Sequence, residues 1–301
     1  MTTIAFLGLG NMGGPMAANL VTAGHTVRGV DPVAAARQKA EDAGVKTFDT
    51  AVEAVEGADV VITMFPNGAI LLDAYRGADG VVAEAKEGAL FIDSSTIDVA
   101  QARQADELVR AAGGQFLDAP VSGGIAGASA GTLTFMVGGD GEDLERARPV
   151  LEAMGSRIVH CGGVGTGQAV KLCNNMVLGV SMIAVGEAFV LARSLGVEDK
   201  TFFDVASNAT ASCWALNTNC PVPGMVESSP ANRDFAPPGF LGALMAKDLG
   251  LALSAIEQTG TDARMGRLAA QMYADYASGE GAGRDFGGII ESIRHNSEAQ
   301  R

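Results

Sequence analysis

Short apolar runs alternate with amphipathic stretches through the first half of the chain, at residues 4–7, 26–30, 60–64, 89–92, 116–117, 133–137 and 158–160. Runs this short, with helical periodicity between them, are the rhythm of βαβ units. Helix signals fall in the gaps: a Thr50-x-x-Glu53 capping box, Asp98 ahead of a helix over 99–112, and Gly155 closing a helix that begins near Glu142. The pattern predicts an α/β domain over 1–163, a doubly wound, mostly parallel sheet with helices on both faces.

Beyond Gly162-Gly163-Val164-Gly165-Thr166-Gly167 the strand pattern stops. Residues 168–195 read as one helix of about 28 residues, about 40 Å long at 1.5 Å per residue. Its most apolar part, 176–192, contains Glu187 and follows Lys171, Asn174 and Asn175, so it reads as a buried helix and not as a membrane span. Small residues at Gly179, Ala184 and Gly186 suit close packing against another chain or the remaining helices. Helical patterns near 200–207, 242–259, 263–278 and 286–293 surround a loop at 210–239 with five prolines, in which Trp214 reads as a packing anchor. Residues 164–301 are therefore expected to form an all-α domain built on one long helix.

A chain of 301 residues exceeds the usual size of a single core, in keeping with this division. The 35 Asp and Glu against 21 Lys and Arg leave a charge of −14, which repels phosphate backbones and anionic membranes, so neither is expected as a partner. A small acidic substrate is not excluded, because backbone amides and a lysine act at short range where distant carboxylates are screened. Cys161, Cys173, Cys213 and Cys220 form no Cys-x-x-Cys pair and have no histidines in ligand spacing. They read as buried free thiols in a reducing cytoplasm, with no metal site expected. The start of the chain leads directly into a strand pattern, without the basic and apolar regions of a signal peptide.

Gly8-Leu9-Gly10-Asn11-Met12-Gly13 follows the first predicted strand and opens a helix ending near Gly24, the context in which Gly-x-Gly-x-x-Gly binds a dinucleotide. Gly8 permits the turn, Gly10 admits the pyrophosphate, and Gly13 lets helix and strand pack closely. Asp31 ends the next strand, where a carboxylate accepts ribose hydroxyls and repels a 2′-phosphate, so NAD is expected rather than NADP. In Asp118-Ala119-Pro120-Val121-Ser122-Gly123-Gly124, successive amides beside Ser122 could form a nest for a carboxylate. Lys171 and Asn175 share a face at the mouth of the long helix, and burial there would let a lysine exchange protons near neutrality. Lys247 and Asp248, adjacent on a helix, are expected to face different partners.

With Gly14-Pro15-Met16-Ala17, Asp93-Ser94-Ser95-Thr96-Ile97 and Gly131-Thr132-Leu133-Thr134-Phe135-Met136-Val137-Gly138-Gly139, these segments together resemble the β-hydroxyacid dehydrogenases nearly from end to end. The resemblance implies an NAD-binding Rossmann-type domain followed by a helical substrate and oligomerisation domain, assembled as a homodimer or homotetramer. It implies Lys171 as the catalytic group and Ser122, Gly123, Gly124 and Asn175 as the substrate holders. Phe65, Pro66, Thr96 and Lys247 would line the cofactor site with Gly8, Gly10, Asn11, Met12, Gly13 and Asp31. His160-Cys161-Gly162, Cys213-Trp214, Pro221-Val222-Pro223-Gly224 and Leu244-Met245-Ala246-Lys247-Asp248-Leu249 are similar to less widely shared stretches of members that oxidise 3-hydroxyisobutyrate to methylmalonate semialdehyde in valine breakdown. Other members use the same machinery to reduce short semialdehydes such as tartronate or succinic semialdehyde. Ala209-Thr210-Ala211 stands where those relatives commonly carry Ser-Ser-Gly, and Pro237-Pro238-Gly239-Phe240 replaces a Gly-Gly-Phe turn.

Overall fold

The computed structural model describes residues 1–76 and 80–299, which form two compact units divided between Lys171 and Leu172, inside the long helix. In the first unit, β1 (Thr3–Leu7), β2 (Thr26–Val30), β3 (Lys46–Thr47), β4 (Val60–Thr63), β5 (Leu90–Asp93) and β6 (Gln115–Asp118) pair in parallel in the order 3-2-1-4-5-6. This is the doubly wound dinucleotide-binding order, with its reversal between β1 and β4. Beyond β6 lie β7 (Val121–Ser122), β8 (Leu133–Gly138) and β9 (Gly155–Gly162). β8 runs antiparallel to β6 and β7 and parallel to β9.

Alternation along each strand sends side chains to opposite faces of the sheet. Ile4, Phe6, Ile62, Ile92 and Leu117 join one buried cluster, while Ala5, Leu7, Val61, Phe91 and Phe116 join the other. Helices Gly13–Thr22 and Val99–Ala111 lie among those that supply the covering layers through Met16 and Leu20 on one side and Ala102, Ala105 and Val109 on the other. The expected capping box at Thr50 with Glu53 is present, and Asp98, expected ahead of its helix, forms a second one with Gln101. The two-residue strands β3 and β7 are too short for their periodicity to register along the chain.

The second unit is helical. Asp199–Ala206, Gly242–Thr259, Arg264–Ala277 and Ile289–Ala299 pack with the later turns of the long helix Thr166–Ser194. Met182, Met245, Leu249, Tyr273 and Phe286 form one core, and Phe189, Leu216, Cys220, Phe235 and Ile290 another.

The expectation of a buried long helix needs correction. By length and composition it is apolar enough to cross a membrane, and only 33% of its most apolar window is buried. One face holds Gly179 against Leu249 and Gly186 against Ile290 and Ile293, where small residues let the helices approach. The other face leaves Val177 61% and Leu191 60% exposed, with Ala184 also exposed. Trp214, expected as an anchor, is likewise 52% exposed. Of the four free cysteines only Cys220 is buried, and Cys173 is exposed.

Candidate active site

The glycine-rich turn emerges from the carboxyl end of β1. Gly8 has φ +98°, and a Cβ there would lie 2.3 Å from the Met64 carbonyl oxygen. A Cβ on Gly13 would lie 1.9 Å from the Gly8 carbonyl oxygen. These two positions are filled by the protein's own backbone. Gly10 differs, since a Cβ there would meet nothing within 4 Å. The turn thus leaves open the position at which backbone must approach a ligand, beside the start of helix Gly13–Thr22, whose N-cap Met12 makes no side-chain capping bond. Asn11 is exposed and Met12 half-buried on the same turn.

Asp31, immediately after β2, is buried and braces this turn: its Oδ2 accepts from the Leu9 amide at 2.8 Å and its Oδ1 from the Val33 amide at 2.8 Å. Each oxygen retains a second lone pair for a ribose hydroxyl. The glycine cradle and this carboxylate fit a dinucleotide.

Phe65 and Pro66 follow β4, and Thr96 follows β5. The Phe65 amide donates to Ser95 Oγ at 2.8 Å, and Ser95 Oγ donates to Asp93 Oδ1 at 2.6 Å. The same Asp93 oxygen accepts from Thr63 Oγ1 at 2.8 Å and from the Ser95 amide at 3.2 Å. Burial pushes the Asp93 carboxyl up to about 7, with Asp118 on the adjacent strand adding to the rise against the pull of those hydrogen bonds.

Asp118 ends β6, and Ser122 lies four residues on, in β7. Gly123 at φ +135° and Gly124 at φ +61° make the bend that starts helix Gly124–Ala130, backbone that a side chain would strain. The Asp118 carboxylate reaches the start of the long helix instead: Oδ1 accepts from the Gly165 amide at 2.7 Å and Oδ2 from the Gln168 amide at 2.9 Å. Burial pushes this carboxyl up to about 6 while those amides pull it down. Gln168 is fully buried; its Nε2 donates to the Ser95 carbonyl at 2.8 Å and its Oε1 accepts from the Ile97 amide at 3.1 Å. Lys171 follows on the same helix, 8% exposed.

In the second unit Asn175 is buried one turn further along that helix. Its Nδ2 donates to Asp248 Oδ2 at 2.5 Å, and its Oδ1 accepts from Asn174 Nδ2 at 3.0 Å. Lys247 Nζ lies 3.3 Å from Asp248 Oδ1, so the two neighbours share an ion pair, which the expectation did not include, while Asp248 Oδ2 serves Asn175. A flexible lysine stem folds back where a helix backbone alone would splay the side chains.

The predicted residues thus gather as a glycine turn with Asp31, as Phe65 beside the Thr96 loop, and as Ser122 near the Asp118 that holds the Lys171 helix. Asn175 and Lys247 both converge on Asp248. Sequence reasoning gave no role to Asp93, Asp118, Gln168 or Asp248. Asp118 and Gln168 stood inside quoted motifs, but their partners lie 47 to 73 residues away.

A family model described as the NAD binding domain of 6-phosphogluconate dehydrogenase matches residues 3–163. A second, described as NAD-binding of NADP-dependent 3-hydroxyisobutyrate dehydrogenase, matches 165–293. Over 299 residues, 99% of this chain and 100% of the relative, it is 56% identical to the "probable 3-hydroxyisobutyrate dehydrogenase" of Mycobacterium tuberculosis (strain ATCC 25618 / H37Rv). The chain belongs to the β-hydroxyacid dehydrogenase family. This β-hydroxyacid dehydrogenase is also 45% identical over 300 residues, 100% of both chains, to the NAD-dependent L-serine dehydrogenase of Pseudomonas aeruginosa. A solved structure of Mycobacterium tuberculosis 3-hydroxyisobutyrate dehydrogenase with L-serine superposes with a TM-score of 0.93 at 56% identity, covering 98% of this chain and 99% of the other. The β-hydroxyacid dehydrogenase described here is accordingly an NAD-dependent oxidoreductase of small hydroxy acids.

Proposed function

We propose that this enzyme oxidises 3-hydroxyisobutyrate to methylmalonate semialdehyde in valine catabolism, with Lys171 as general acid and base. The observation that carries the chemistry is the burial of Lys171 on a helix turn that Asp118 and Gln168 hold, one turn before the buried amide of Asn175. NAD, when bound, would supply the acceptor for the hydride of the carbinol C–H. As that C–H bond breaks, Lys171 Nζ in its neutral form takes the hydroxyl proton and the O–H pair becomes the carbonyl π bond; in reverse the ammonium returns the proton to the developing alkoxide. Asn175, oriented by Asp248 and Asn174, would align the hydroxyl. Ser122 and the amides of Gly123 and Gly124 would hold the carboxylate. Gly8, Gly10, Asn11, Met12, Gly13, Asp31, Phe65, Pro66, Thr96 and Lys247 would bind the cofactor.

The exposed apolar face at Val177, Ala184 and Leu191 supports assembly as a homodimer or homotetramer, and a folded monomer at micromolar concentration in sedimentation would overturn that assembly. The four free cysteines accord with a cytoplasmic setting.

NADH formation with a panel of short 3-hydroxy acids, compared with Lys171→Ala, tests the reading. Turnover of (S)-3-hydroxyisobutyrate should dominate and fall by about a thousandfold in the variant. The similarity to an L-serine dehydrogenase favours L-serine as the second candidate. Preference for L-serine, or for reduction of tartronate or succinic semialdehyde, would reassign the substrate, and an active Lys171→Ala would remove the lysine's role.

A further inference from the structure

We propose that Asp118 and Gln168 are positioning residues for proton transfer, together locking the first turn of the long helix against the loop that carries Thr96. The inference rests on the reading of Lys171 as the acid and base.

A helix start is ordinarily satisfied by a local Ser, Thr, Asp or Asn, which caps it without burying a charge far from its own segment. Here the residue before Thr166 is Gly165, which has no side chain to offer. The acceptor comes from a strand 47 and 50 residues away, and it is a fully buried carboxylate. Helix stability alone does not call for that arrangement, since a local cap would serve it at lower desolvation cost. What the distant carboxylate adds is position: it ties the helix start to the end of β6, the strand that leads to Ser122.

Gln168 fixes the remaining freedom. Both ends of its amide are used, toward the Ser95 carbonyl and the Ile97 amide, so the two bonds bracket Thr96. Between these anchors Gly167 leaves no room to slide, because a Cβ there would sit 2.3 Å from the Met136 carbonyl oxygen. Lys171 follows Gln168 by three residues, on the same side of the helix. A turn held by a carboxylate, an amide and a close backbone contact can neither rotate nor shift along its axis without breaking buried hydrogen bonds. Catalysis is sensitive to such shifts, a misplacement of about 1 Å costing on the order of 100-fold.

The test compares the full-length wild type with Asp118→Asn, Gln168→Met and Lys171→Ala. It uses kcat and KM on the preferred hydroxy acid across pH, the deuterium isotope effect at the reacting carbon, NAD binding stoichiometry, and amide exchange in the cofactor-free protein. The expected result is amide exchange at Ile97, Gly165 and Gln168 at least about tenfold faster where the matching acceptor is lost, with kcat about 10- to 100-fold lower. KM should stay within about threefold, and the pH profile and isotope effect should change, because the lysine is displaced and not removed. Loss of kcat that follows NAD binding stoichiometry, with isotope effect and pH profile unchanged, would mean a purely structural role and overturn the proposal. So would faster exchange with wild-type kinetics. If Asp118→Asn does not fold, Gln168→Met, which leaves the carboxylate cap in place, carries the test alone. An active Lys171→Ala would instead overturn the acid–base reading beneath it.

Discussion

Asp118 in the first unit and Asp285 in the second are built alike and stand in different company. Both are buried carboxylates that collect backbone amides. Asp118 takes those of Gly165 and Gln168, while Asp285 takes Gly239 at 2.9 Å, Phe240 at 3.1 Å and Gly287 at 3.0 Å, with Asn219 Nδ2 at 3.2 Å. Asp285 staples the end of the Pro237-Pro238-Gly239-Phe240 turn onto the segment that begins with Phe286, beside Tyr273 and Tyr276. None of the residues it holds is a candidate for chemistry. Asp118 stands four residues from Ser122 and caps the helix of Lys171. The same hydrogen-bonding device therefore closes a core in one unit and anchors the start of the helix that carries Lys171 in the other, and what it holds tells the two apart.

Removing the staple should show the larger effect on folding. Asp285→Ala would leave the buried Gly287 amide, the Asn219 amide and the part-buried amides of Gly239 and Phe240 without their acceptor, costing about 3 kcal/mol or more. Urea unfolding should move to a much lower midpoint, while the protein still folded keeps wild-type NAD affinity. A variant with unchanged midpoint would end the comparison.

Proton linkage sharpens it from the first unit. Thr63, Ser95, Tyr75 and Asp118 surround Asp93, whose folded carboxyl lies near 7 against an ordinary value of 3.8. The folded protein then binds the proton more tightly than the unfolded chain, so this group's contribution is full below about pH 4 and is lost as pH rises through about 7. Asp93→Asn lacks the loss. Its melting temperature relative to wild type should climb by a few degrees between about pH 4 and 7 and level off above, in thermal scans across that range. A constant difference would place the Asp93 carboxyl at its ordinary value.

The smallest effect on stability is expected at the glycine turn. Gly10→Ala should shift unfolding by no more than about 1 kcal/mol yet weaken NAD binding about tenfold, because the added methyl enters space kept for the ligand. Gly242→Ala in the second unit is the counterpart. Its Cβ would lie 2.3 Å from the Gly281 carbonyl oxygen and 2.7 Å from Tyr276, so calorimetry should show a clear loss of stability there.

Those contrasts also mark what could be seen along the chain. The strand rhythm, the Thr50–Glu53 capping box, the Gly8-x-Gly10-x-x-Gly13 turn and the extent of the long helix depend on neighbours a few residues apart, and periodicity records such neighbours. The antiparallel β8, the grip of Asp118 on Gly165 and the bracket of Gln168 around Thr96 depend on pairings across tens of residues, which no local pattern encodes. That Lys171 and Asn175 share a helix face was legible because a helix brings residues four apart onto one side. Asp248 was visible only as the neighbour of Lys247, and its service to Asn175 spans 73 residues. The exposed face of the long helix eluded the reading because hydropathy reports how apolar a stretch is, and not which of its sides has something to pack against.

The reach of Asp118 also bears on where the chain can be cut. A fragment ending at Gly163, where the first matching family model ends, would keep the strand and the carboxylate but discard both amides that donate to it. Such a piece would emerge from the ribosome with an uncompensated charge in its interior and a tendency to aggregate. An expression clone of the nucleotide-binding half should therefore run through at least Lys171, and a nascent chain completes this half only after the first turn of the next segment has been made.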